Sequence, residues 1–203
     1  MPVSDKNEDL DLLFDRMYQV ISSERFLNRE GLGNEVPFFI SPHHPALQNA
    51  VDRHVKTLRK RLQSNGVYVL EINLYDLCMA LLEEEGDLEL VRKKEPDWEK
   101  SVLKQQLQQL LDVEDAIIPV MARRIEETDF QVLFITGVGL VFPFMRSHNV
   151  LNNLQKVATD QPTVLFFPGD YTHTLEYGSS LDLFGLLTDD KYYRAFNINH
   201  YKV

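Results

Sequence analysis

The densest group of residues capable of chemistry lies in "GVGLVFPFMRSHNVLNNLQ", Gly137 to Gln155. Two glycines at G-x-G spacing precede an uncharged apolar stretch that ends in Arg146-Ser147-His148. Glycines let backbone amides approach an anion, and an arginine beside a helix start adds a planar, always-charged fork. Gly137, Gly139 and Arg146 are therefore candidate anion contacts. A dinucleotide or phosphate loop asks for more, a third glycine or a Gly-Lys pair followed by a hydroxyl. The chain has no Gly-Lys pair, and "GLGNEV" and "GVGLVF" each stop at the second glycine. A docking loop is the competing expectation, because Phe142 and Phe144 beside Arg146, His148 and Asn152 mix aromatic and charged groups as interface anchors do. The third reading is internal, with Arg146 paired to a carboxylate, His148 donating to a carbonyl, and Ser147 capping the helix that follows.

Other reactive residue types form weaker patterns. His43 and His44 adjoin in "SPHHP", but neighbours in an extended loop point apart, and no Cys cluster or H-E-x-x-H completes a metal set. Glu71 ends the strand-like "VYVLE" in the place of a magnesium-linked acid, without a lysine-bearing loop to accompany it. No G-x-S-x-G elbow appears. Cys78 shares an apolar helix face with Leu74 and Leu81 and reads as a small hydrophobe. Between Val51 and Arg61, five basic residues oppose Asp52 alone. That segment reads as a solvated helix face or as a basic helix meeting an acidic partner, which makes Arg53, Lys56 and Lys60 candidate partner contacts. No catalytic residue, metal site or cofactor is expected.

These residues need elements to hold them. Leu10, Leu13, Phe14, Met17 and Ile21 recur at helical spacing, as do Val51, Val55, Leu58 and Leu62, whose helix stops at Asn65-Gly66. "VPFFI", "VYVLEINL", "VLFIT", "TVLFF" and "RAFNI" are short apolar runs rich in β-branched and aromatic residues, and predict five strands. Tyr75 to Glu85 and two segments between Pro96 and Thr128 predict extra helices between the second and third strands, with Pro119 tolerated in a first turn. Strands separated mostly by helices imply an α/β three-layer sandwich with a mainly parallel five-stranded sheet, Rossmann-like or degenerate P-loop-like. Ligands gather beyond the carboxyl ends of such strands, at Ser41 to His44, Asn73, Thr136 to Gly139, and Gly169 with Asp170.

The 203 residues, 44% of them hydrophobic, suffice for one core and show no linker, so 1–203 is expected to form a single α/β domain. A net charge of -10 opposes broad capture of nucleic acid or of an anionic membrane. One cysteine allows no intrachain disulfide, and the start lacks a signal-peptide pattern, so a cytoplasmic location is expected. The longest apolar stretch, Val132 to Met145, is too short to span a bilayer.

In order along the chain, "FLNREGLGNEVPFFI", "VLEINLYDL", "ITGVGLVFPFMRSHNVLNNLQ", "VLFFPGDY" and "DDKYYRAFNI" resemble the BrxB family, small components of bacterial BREX phage-defence systems. The likeness runs from about Leu10 to Ile198. It implies a part in a multi-protein antiviral assembly that works with host DNA methylation to distinguish self. The partner it implies is the PglZ phosphatase-like component, with the large ATPase and the methyltransferase further off. The family supplies no catalytic residues to carry over.

Overall fold

The computed structural model describes residues 3–30, 37–174, 178–185, 187–189 and 195–201. Helix α1 (Val3–Ile21) and the short α2 (Glu24–Leu27) lead into β1 (Phe38–His43), and α3 (Gln48–Ser64) follows. After β2 (Val69–Asn73) come four helices: α4 (Leu74–Glu84), α5 (Asp87–Lys94), α6 (Lys100–Leu110) and α7 (Ile118–Glu127). Then β3 (Val132–Thr136), α8 (Ser147–Leu154) and the long β4 (Thr163–Thr174) alternate. The antiparallel β5 (Gly178–Leu183) and β6 (Leu187–Asp189) precede the brief β7 (Phe196–Asn197).

The sheet runs β2-β3-β4-β1-β7, and every pairing along that path is parallel. Alternation along each strand explains the layers. Phe39, Val132, Phe134, Val164 and Phe166 point to one face, where they bury Leu10, Phe14 and Met17 of α1 and Val55, Leu58 and Leu62 of α3. Phe38, Ile40, Leu133, Ile135, Leu165 and Phe167 point to the other, against α4, α7 and α8. Both faces of the inner strands β1, β3 and β4 are covered, which is why they read as continuous apolar runs. The result is a three-layer α/β sandwich, as the residue pattern predicts.

Local rules account for the ends that matter. Helix α3 closes in a Schellman turn: Gly66 adopts φ +79°, and the Val67 amide reaches back to the Leu62 carbonyl at 2.9 Å. Pro119 is the second residue of α7, and a π-helical turn (Val113–Ile117) leads directly into that helix ahead of it. Departures from expectation are specific. Helix α5 falls between the helix expected over Tyr75 to Glu85 and the two expected after Pro96. The hairpin β5–β6 extends β4 beyond the parallel rim, with Gly169 opposite Leu183 and Asp170 opposite Asp182. Among the described residues, no helix is long and apolar enough to cross a membrane.

Candidate functional site

Strand β1 sends its chain through α3 to β2 at the far edge, whereas β4 sends its chain the opposite way, past β1 to β7. Neighbouring strands whose connections diverge open a crevice at their carboxyl ends. Here it is a cavity of about 290 Å³ lined by Pro42, His43, His44, Gly169, Asp170 and Phe184, among others. The turn above it withholds donors. Pro42 and Pro45 have no amide hydrogen, and the Ala46 amide donates to Nδ1 of His44 at 3.2 Å. His43 is buried, and its Nε2 meets Oε1 of Gln48 at 3.0 Å, while Gln48 donates through Nε2 to Asp52 at 2.8 Å. That chain leaves Nε2 of His43 as the donor. Burial holds the ring below the usual histidine range, against the opposing pull of the Gln48 contact.

The G-x-G turn is closely packed. Gly137 adopts φ +73°, and a Cβ there would lie 2.2 Å from Oδ1 of Asn73. That oxygen caps α4 by accepting from the amides of Tyr75 (3.0 Å) and Asp76 (3.2 Å). A Cβ on Gly139 would come within 2.9 Å of Pro168 and 3.2 Å of Phe184. Both glycines make room for neighbouring protein, which gives Gly137 and Gly139 a close-packing role of their own.

The residues after this turn separate. Arg146 is exposed, and Asn152 with it. His148 is 4% exposed on the inward side of α8, which removes it from the candidate docking surface. Ser147 is the first residue of α8 and is itself buried, and Arg146 occupies the cap position without a side-chain capping bond, so the expected serine cap is corrected. Cys78 is fully buried, and burial pushes its thiol up to about 12, as suits a packing residue.

Phe144 belongs to a concave surface the sequence did not reveal. It and Pro143 form one wall of an open groove of about 430 Å³, and Trp98, Leu103 and Leu107 form the other. Lys100, Lys104 and Glu95 line it as well. Helix α6 has no fully buried residue; Leu107 and Leu110 reach the core, whereas Trp98 and Leu103 lie outside both core clusters. The signal available in the sequence was a lone tryptophan just ahead of a helix with Leu103 and Leu107 at i, i+4. Phe142 turns elsewhere, edge-on to Phe184.

On α3 the fold sorts the basic residues. Arg59 pairs with Glu71 at 2.7 Å, and Arg61 pairs with Asp15 and lies 4.4 Å from the Tyr18 ring. Arg53, Lys56 and Lys60 are exposed, with no carboxylate partner among the described residues. Lys56 and Lys60 border a cleft of about 480 Å³ over the ends of β2 and β3, together with Asn73, Thr136 and Arg124 of α7.

The architecture is that of a doubly wound α/β protein whose concave features lie along the carboxyl rim, with an apolar groove beside it. Within that class, the chain belongs to the BrxB family: the family described as "BREX protein BrxB" matches residues 70–198. A "BREX protein BrxB" from Bacillus cereus (strain H3081.97) is 34% identical over 95% of this chain and 96% of its own length. Another, from Escherichia coli O9:H4 (strain HS), is 28% identical over 88% of this chain and 86% of its own. No solved structure matches the chain.

Proposed function

We propose that this protein serves BREX phage defence as a non-catalytic docking component that seats on the PglZ-type protein in the cytoplasm. The observation supporting the reading is the groove between α6 and the turn before α8. Aromatic and branched apolar side chains line it together with charged groups, and half of the apolar face of α6 is left off the core. Interface centres have this composition, with large rigid anchors ringed by polar residues. Arg146 and Asn152, exposed and close behind Phe144 in sequence, are further candidate contacts.

Trp98 is the only tryptophan in the chain, so it gives a site-resolved probe. The chain labelled with 5-fluorotryptophan should show a shifted fluorine resonance when unlabelled PglZ-type protein is added at micromolar concentration. Leu103→Asp should weaken association more than tenfold, the scale of an interface anchor worth about 2 kcal/mol, and leave the melting temperature unchanged. Failure of the two proteins to associate at micromolar concentration, alone or with the ATPase and methyltransferase present, would refute docking. Association insensitive to Leu103→Asp would refute the groove.

A further inference from the structure

We infer that the cleft between α3 and the ends of β2 and β3 binds a small phosphorylated polyol, a nucleoside or sugar phosphate. Its location is independent of the docking groove. Lys56 and Lys60 stand at i, i+4 and so share one face of α3, while Arg124 arrives from α7. None of the three side chains has an ion-pair or hydrogen-bond partner among the described residues. In a chain of net charge -10, three uncommitted cations from two separate helices on one cleft form a local exception. Phosphate is the anion that two ammonium groups and a guanidinium fork fit, the fork taking two oxygens at once.

The remaining lining defines the rest of the ligand. Arg59 and Thr136 already occupy Glu71, at 2.7 and 3.1 Å, so that carboxylate is spent inside the wall. Asp52 and Asp76 line the same cleft, and Asp76 makes no side-chain hydrogen bond among the described residues. Carboxylates repel a bare phosphate but accept hydrogen bonds from hydroxyl or amino groups. Cations and acceptors side by side therefore favour a ligand that carries phosphate at one end and donors at the other. A cleft of about 480 Å³ is of the size small-molecule sites occupy.

The test is a thermal-shift titration of the whole protein at constant ionic strength with ATP, AMP, ribose 5-phosphate, orthophosphate and a short DNA duplex. A saturable rise in melting temperature with AMP, ATP or ribose 5-phosphate is expected. AMP or ATP outperforming ribose 5-phosphate would mark a nucleotide ligand, and the reverse a sugar phosphate. Lys56→Ala with Lys60→Ala, and separately Arg124→Ala, should each weaken that response at least tenfold without lowering the melting temperature of the free protein. Leu103→Asp should leave the response intact, so failure here and failure of docking are distinguishable. The inference is overturned by no saturable shift, by orthophosphate matching the organic phosphates, by a response to DNA alone, or by a response that survives both sets of substitutions.

Discussion

Gly137→Ala tests whether the G-x-G turn is a packing device. The new Cβ would sit 2.2 Å from Oδ1 and 2.9 Å from Cγ of Asn73, on a backbone at φ +73°. Holding alanine in that left-handed conformation costs about 1–2 kcal/mol. Displacing Asn73 removes the cap on α4, about 1 kcal/mol, and residual crowding adds a comparable amount. The expected loss is about 3 kcal/mol, read from urea unfolding followed by circular dichroism. Asn73→Ala alone should cost about 1 kcal/mol, as a lost cap. In that background the clash with the Asn73 side chain is gone and only the 3.2 Å approach to the Tyr75 nitrogen remains, so Gly137→Ala should then cost chiefly the conformational share of about 1–2 kcal/mol, and the two changes should fall short of additivity by about 1–2 kcal/mol. Strict additivity, or a cost below about 1 kcal/mol for Gly137→Ala, would refute the packing argument and return the glycine to other duties.

Leu58→Ala and Leu154→Ala, buried to 1% and 0% exposure on opposite faces of the sheet, should each destabilise by about 2–5 kcal/mol in chemical denaturation, and losses below about 1 kcal/mol at both would contradict the layer assignment. Arg146→Ala should change stability by less than about 0.5 kcal/mol, whereas His148→Ala should cost about 1–3 kcal/mol, since only the second is enclosed. Cys78 should resist iodoacetamide at pH 8 in the native protein and react once urea unfolds it. Because its folded thiol titrates near 12 against an ordinary value of 9.0, the unfolded chain loses that proton first. Stability should therefore decline as pH rises from about 9 toward 12, and Cys78→Ala should flatten that decline. His43 works in the other direction: with its folded value lowered below 6.5, the stability it contributes is present above pH 6.5 and lost as pH falls, and His43→Gln should remove that part of the acid dependence.

What the chain determined alone is what neighbouring residues can settle. Each of the five parallel strands falls within or overlaps an apolar run visible in the sequence, most clearly β3, which is buried along its whole length. Helix α3 was legible from Val51 to its Asn65-Gly66 stop, since periodicity and capping act within a few residues. The rim was legible too: Asn73, Thr136, His43 and Asp170 all border concave surfaces at strand ends. Tertiary structure decided the rest, through contacts that sequence spacing does not encode. Strand order placed β1 between β4 and β7, and only that order creates the divergent crevice. The direction in which α8 faces the sheet took His148 inward and left Arg146 outside, although the two differ by a fraction of one turn. Gly137 is required by Asn73, a residue on another strand, so its role was invisible until β2 and β3 paired. The same is true of charge: Arg59 and Arg61 find Glu71 and Asp15 only in the folded chain, and that pairing, not composition, leaves Lys56 and Lys60 free to share a cleft with Arg124.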